Sequence, residues 1–245
     1  PADRMTMIGV TGTNGKTTST MLIKHMLESC LGAKVGLIGT IANYIGDEEY
    51  AAARTTPESY DLQKLLRQMA DAGCAYAVME VSSHALYLDR VADIRFRAGL
   101  FTNLTQDHLD FHGTMENYAA AKALLFGISA AAALNTDDPW AGFMAERAAC
   151  PVISFGTAGG ETVSAADIEY SAGGVAFTAV CGKENVPVRL GIPGRFSVSN
   201  ALTVLALFLS YSMLNVCDLS TDGCFTLGAV VGALVAIAGY PWLSL

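Results

Sequence analysis

The chain has 245 residues, 52% of them hydrophobic, and a formal net charge of −8. That length can bury a full core, as one large domain or as one domain with a fragment. The acidic balance, without any basic stripe or run, excludes a nucleic-acid partner, and any anionic ligand must be met by a few placed cations.

Residues 5–10 form an apolar run of strand character, and the decade Gly9-Val10-Thr11-Gly12-Thr13-Asn14-Gly15-Lys16-Thr17-Thr18 follows directly. A helical pattern with apolar Met21, Leu22, Met26 and Leu27 comes next. A glycine-rich turn between strand and helix lets backbone N–H groups converge on phosphate oxygens. The helix N-terminus adds partial positive charge, Lys16 reaches the terminal phosphates, and Thr17 can hold Mg²⁺. Standard spacing asks for glycine where Val10 stands, so this is a variant loop, Gly12-x-x-Gly15-Lys16-Thr17. It reads as an ATP site.

Further strands are expected at 35–38, 75–81, 98–101, 131–134 and 152–155, with helices near 57–72 and 115–126. Alternation of this kind implies an α/β fold, a mostly parallel sheet with helices on both faces and ligands at the carboxyl ends of the strands. Residues 161–192 change texture to β-rich runs broken by Gly173-Gly174 and Gly182-Lys183-Glu184-Asn185, which predicts antiparallel hairpins appended to the sheet. A helix is expected after Gly194.

Three constellations fall at predicted strand ends. Glu80, leaving the apolar run 77–79, suits Mg²⁺ and oxygen chemistry, although acids at strand ends are common. Asp107, His108, Asp110 and His112 crowd a loop after a buried strand, where titratable residues are more often a site than packing. Lys122, inside the third helix, reads by itself as an exposed surface residue.

These segments occur in one order with Arg54-Thr55-Thr56-Pro57, Asn103-Leu104-Thr105-Gln106-Asp107-His108-Leu109-Asp110-Phe111-His112-Gly113, Tyr118-x-x-x-Lys122, Asn135-Thr136-Asp137-Asp138-Pro139 and Gly194-Arg195-Phe196. Together they resemble the central ATPase domain of the Mur ligases, of the MurE type, over about residues 5–210. The resemblance implies an ATP-dependent ligase of peptidoglycan synthesis that joins a diamino acid, diaminopimelate in preference to L-lysine, to UDP-MurNAc-L-Ala-D-Glu through an acyl phosphate.

By position, the resemblance implies that Gly12, Thr13, Asn14, Gly15, Lys16, Thr17 and Thr18 bind ATP, with Asn135, Asp138 and Asn200 near the nucleotide. Thr17, Glu80, His108 and Lys122 become metal ligands, Lys122 as a carbamylated lysine, and Lys16, Lys122, Glu80 and His108 carry catalysis. Thr55, Thr56, Ser82 and Arg90 contact the UDP-muramoyl peptide. Ser197 stands where an asparagine is frequent, and Leu88 where some relatives carry glutamine. The expected division is a central domain at 1–210 and a divergent or truncated tail at 211–245, with the family's amino- and carboxy-terminal domains absent. Ligation by the isolated chain is therefore not expected. Other readings are an ATP-binding module without ligase activity and a folylpolyglutamate-synthase-like ligase.

Residues 196–217 and 223–245 carry no charge and are each long enough to span a bilayer, yet lack the basic flanks that fix orientation. The reading is a cytoplasmic monomer without a membrane partner, with a membrane anchor at 223–245 as the alternative. Six cysteines, Cys30, Cys74, Cys150, Cys181, Cys217 and Cys224, lack zinc spacing and read as reduced thiols.

Overall fold

The computed structural model describes residues 1–214. After a short 3₁₀ turn at Ala2–Arg4, β1 (Thr6–Thr11) leads through the glycine loop into α1 (Lys16–Leu31). Next come β2 (Val35–Ile38), a hairpin of β3 (Ala42–Ile45) and β4 (Glu48–Ala51), α2 (Ser59–Asp71), β5 (Tyr76–Glu80) and α3 (Ser83–Tyr87). The chain continues through β6 (Ala98–Phe101), α4 (Leu109–His112), α5 (Met115–Gly127), β7 (Ala132–Asn135) and α6 (Ala141–Arg147). It then runs through β8 (Val152–Gly156), β9 (Val163–Ser171), β10 (Gly174–Cys181) and β11 (Glu184–Leu190) to α7 (Phe196–Leu214).

The eleven strands of the described residues join one sheet in the order β11-β10-β9-β8-β7-β6-β1-β5-β2-β3-β4. The run from β8 to β2 is parallel, and β9 joins β8 in parallel through Phe155 and Gly156. The pairs β9–β10, β10–β11, β2–β3 and β3–β4 are antiparallel, so the expected appended hairpin is present. The chain passes from β1 over the place later filled by β5, and from β5 over β1 to β6. The order reverses around β1, and the carboxyl ends of β1, β2, β5, β6 and β7 meet on one rim, where α/β sheets bind ligands.

Strand alternation sorts the core into two layers. Ile8, Val10, Val78 and Leu100 pack with Leu22, Ile23 and Met26 of α1 and with Val198, Leu202 and Leu205 of α7. Met7, Ala77, Met79 and Phe101 face the other way, against Leu62, Leu66 and Met69 of α2 and Tyr118, Leu125 and Phe126 of α5. Each such aliphatic or aromatic side chain contributes about 1.5–3 kcal/mol on burial. Gly9 lets α5 approach β1, since a Cβ there would lie 3.0 Å from the Phe96 ring and 3.1 Å from Leu125 Cδ1.

Up to residue 209, the first uncharged stretch is explained by this packing. Val198, Ala201, Leu202, Val204 and Leu205 are buried between α1 and the sheet, so these apolar residues of α7 serve the core. Among the described residues no helix is long and apolar enough to cross a membrane. Helix α7 continues past residue 210 to Leu214; the uncharged run at 223–245, with Cys217 and Cys224, lies outside the described residues.

Candidate functional site

Two glycines shape the loop between β1 and α1. Gly12 has φ 150° and Gly15 φ 85°, and a Cβ at Gly15 would sit 2.6 Å from Asn200 Oδ1. The loop is sewn to the segment after β6. Thr13 N–H donates to Asn103 O at 2.9 Å, and Asn14 N–H to Asn103 Oδ1 at 2.9 Å. In return Thr102 Oγ1 and Asn103 Nδ2 donate to Asn14 O at 2.6 and 2.9 Å. The N–H groups of Thr13 and Asn14 are thus spent inside the protein. Ser19 N–H is the first to enter the helix, bonding Gly15 O at 2.9 Å. Those of Lys16, Thr17 and Thr18 have no acceptor within α1 and carry its positive pole.

Glu80 closes β5 fully buried, and Thr17 Oγ1 donates to its Oε1 at 2.9 Å. Thr40, just beyond β2, donates from its backbone N–H to Oε1 and from Oγ1 to Oε2, both at 2.9 Å. Sequence reasoning missed Thr40; its local signal is only a Gly-Thr step at a strand end.

Lys16 Nζ donates to Gly12 O and Thr13 O at 2.9 and 2.8 Å. Burial pushes its ammonium below the ordinary lysine value, with Glu80 and Asp107 opposing. Lys122, which by its local sequence alone reads as a surface residue, is buried at 2% exposure, because α5 lays it under the loop. Its Nζ donates to Gly12 O at 2.9 Å and stands 4.5 Å from the Tyr118 ring centroid. Burial, and then the nearby Lys16 charge, pushes Lys122 well below the ordinary value.

The other expected residues divide into groups. Asn135 Nδ2 donates to Thr102 O at 2.7 Å, and Asp138 accepts from Leu104 N–H at 2.8 Å and Trp140 N–H at 2.9 Å. Both carboxyl-side residues therefore hold the segment that holds the loop. Asn200 brings its Oδ1 to the underside of the loop, 3.4 Å from Ser19 Oγ. Thr56 is buried, donating to Glu80 O at 2.8 Å and accepting from Ser82 N–H at 3.0 Å, while Ser82 caps α3 by accepting from Ala85 N–H. Thr55 Oγ1 is 3.0 Å from Thr40 Oγ1. Arg90 pairs with Glu58 at 2.7 Å and donates to Thr56 O at 3.3 Å.

His108, with φ 52°, joins an aromatic group instead of the Thr17–Glu80 pair. Its ring meets His84 edge-on at 4.9 Å between centroids, and Asp107 Oδ2 lies 3.5 Å from its Nε2. His112 sits within hydrogen-bond reach of Ser83 Oγ at 3.0 Å. Among the described residues no three His, Cys, Asp or Glu side chains cluster as a metal cage. The hard oxygens of Thr17 and Glu80 beneath an open helix N-terminus are still the donor set that Mg²⁺ takes beside phosphates.

A strand, a glycine loop and a helix with an uncovered N-terminus, set at the reversal point of a parallel sheet, define a phosphate-loop α/β domain. Residues 10–208 match the Mur ligase middle domain, and the chain belongs to that family. It is 48% identical over 210 residues to the UDP-N-acetylmuramoyl-L-alanyl-D-glutamate–2,6-diaminopimelate ligase 1 of Clostridium acetobutylicum, covering 86% of this chain and 43% of that protein. Against the corresponding ligase of Alkaliphilus metalliredigens identity is 43% over 243 residues, 98% of this chain and 49% of that protein. A solved structure of a UDP-N-acetylmuramoyl-L-alanyl-D-glutamate–2,6-diaminopimelate ligase superposes with a TM-score of 0.79 at 30% identity, over 94% of this chain and 46% of that one. MurF from Acinetobacter baumannii shares the fold, with a TM-score of 0.72 at 22% identity over 95% of this chain and 46% of that one. The chain spans less than half the length of these relatives.

Proposed function

We propose that this chain, over residues 1–210, is the ATP-binding and metal-holding part of a cytoplasmic ligase that adds a diamino acid, diaminopimelate, to UDP-MurNAc-L-Ala-D-Glu. The observation that carries the reading is Thr17 on Glu80 at 2.9 Å, below N–H groups that have no helical acceptor. The names of the 48% and 43% identical relatives support the substrate assignment. They lend none to a folylpolyglutamate-synthase-like ligase.

In this reaction a carboxylate oxygen of the acid substrate attacks the γ-phosphorus of ATP, and the bond to the β–γ bridging oxygen breaks. The products are an acyl phosphate and ADP. The amine then attacks the acyl carbon, loses a proton, and phosphate departs with the C–O bonding pair. Phosphoryl transfer of this kind depends on positioning and charge neutralisation. Bound Mg²⁺ would supply part of that neutralisation, held by Thr17 and Glu80.

The chain's own residues supply the rest. The N–H groups at 16–18 orient the phosphates, and Lys16 exchanges its loop carbonyls for phosphate oxygens. Thr55, Ser82 and Arg90 lie on the rim beyond Glu80, on the side assigned to the acid substrate, and Thr56 fixes that rim from beneath. His108 is assigned to a second metal position. A lysine pushed below its ordinary value gives up its proton more readily, and Lys122 is such a residue. Its nitrogen can bond the carbon of CO₂ and release a proton, leaving an anionic carbamate with the oxygen atoms that hard cations prefer.

The test is calorimetric titration with Mg-ATP. Lys16→Ala, shown to be folded, is expected to lose at least about tenfold in affinity, ~1.4 kcal/mol. Unchanged affinity sinks the assignment. In a protein carrying this sequence within the full length of its relatives, phosphate release should require both UDP-MurNAc-L-Ala-D-Glu and diaminopimelate. Release that ignores either one overturns the substrate assignment.

A further inference from the structure

Glu80 is gripped on both carboxylate oxygens by one residue. Thr40 N–H donates to Oε1 and Thr40 Oγ1 to Oε2, each at 2.9 Å. The approach requires glycine before it, since a Cβ at Gly39 would lie 2.7 Å from Glu80 Oε1. A terminal carboxylate torsion is soft, with a broad two-fold well. Two donors from a single residue fix the plane of the group and so the direction of its remaining lone pairs.

A carboxylate only accepts, so the protons in this group have assigned directions. Thr17 and Thr40 each give their hydroxyl hydrogen to Glu80. The Thr17 oxygen is left with its lone pairs outward, as a cation ligand needs. The single Thr40 hydroxyl hydrogen, directed at Glu80 Oε2, is shared with Thr55 Oγ1, which accepts from Thr40 at 3.0 Å. A continuous run results: Thr17, Glu80, Thr40, Thr55.

We propose that Thr40 is a positioning residue that aims the Glu80 carboxylate at a divalent cation bound beside Thr17, and that it ties this carboxylate to Thr55 on the acid-substrate side. This rests on the nucleotide and metal reading of the site given above. It adds a residue outside the phosphate loop that sets how strongly nucleotide binding depends on the metal.

The experiment titrates ATP calorimetrically into wild type, Thr40→Val and Thr40→Ser over a series of Mg²⁺ concentrations and in EDTA. Valine keeps the backbone donor and the shape and removes the hydroxyl. The expected result is a Mg²⁺ midpoint shifted upward by about tenfold in Thr40→Val, the size of one hydrogen bond to a charged group. Affinity in EDTA stays at the wild-type level, and Thr40→Ser restores the midpoint. Equal midpoints in wild type and Thr40→Val overturn the role of Thr40 and leave the nucleotide reading intact. A matching loss in EDTA also overturns it, since Thr40 would then only hold the fold. Wild-type binding that is indifferent to Mg²⁺ overturns the metal reading itself, and this proposal with it.

Discussion

Lys16 and Lys122 donate from Nζ to the same acceptor, the carbonyl oxygen of Gly12, at 2.9 Å each. One comes from the first turn of α1 and the other from α5 across the sheet rim. Each amine is pushed below its ordinary value, first by burial, and Lys122 also by the charge of Lys16. Two amines converge on one carbonyl here, and Lys16, the one placed at the helix N-terminus, exchanges that carbonyl for the oxygens of a polyphosphate.

Lys122 gives stability a pH dependence of definite sign. Its folded value lies below 10.5, so between the two values the unfolded chain binds more protons. Stability from this residue is therefore lost as pH falls toward the folded value and recovered as pH rises toward 10.5. The slope is at most about 1.4 kcal/mol per pH unit. Thermal melts of wild type and Lys122→Met in CO₂-free buffer, from neutral pH upward, should show wild type gaining on the variant. A constant difference would place the charge of Lys122 in solvent.

Asn103 touches the loop from outside, holding Asn14 through both its amide oxygen and its amide nitrogen. Asn103→Ala removes both bonds and is expected to cost about 1–3 kcal/mol of stability. Mg-ATP affinity should fall roughly tenfold, because the loop must then be ordered by the ligand. Unaltered binding would mean that the loop holds its shape by its glycines alone.

Adjacent threonines should behave differently. Thr56 is buried and its hydroxyl serves both Glu80 O and Ser82 N–H, so Thr56→Val strands two backbone groups at about 1–3 kcal/mol. Thr55 is half-buried on the rim, and Thr55→Val should cost below about 1 kcal/mol. Denaturant unfolding of the two variants checks the order; equal losses would refute it.

Gly9 is the contact point between β1 and α5. Gly9→Ala puts a methyl against Phe96 and Leu125 at 3.0–3.1 Å, an overpacking expected to cost about 1–3 kcal/mol. A variant as stable as wild type would show that α5 can shift freely, and the placement of Lys122 should then be just as tolerant.

The parallel strands were legible because each is a short apolar run buried on both faces, and the loop because strand, glycines and helix follow one another. The β3–β4 hairpin was not anticipated. Glu48–Ala51 is exposed throughout and offers no apolar alternation, although Gly46-Asp47 between the two strands is a turn signal. Helices α3, α4 and α6 are too short to show a helical period. Thr40 was invisible for another reason: what it does depends on a carboxylate 40 positions away, which only the β2–β5 pairing brings alongside. The burial of Lys122 followed from no local pattern, because α5 is apolar on nearly every side.

Among the described residues, the single sheet of eleven strands has two borders without a neighbouring strand, where another chain's strand could hydrogen-bond. At one border lies β4, whose exposed Glu48 and Glu49 set carboxylates on both faces of the strand. At the other, β11 carries Pro187, which has no N–H to offer, opposite Thr178 of β10. Charge blunts one border and a missing donor the other. Such termini discourage copies of this domain from stacking rim to rim.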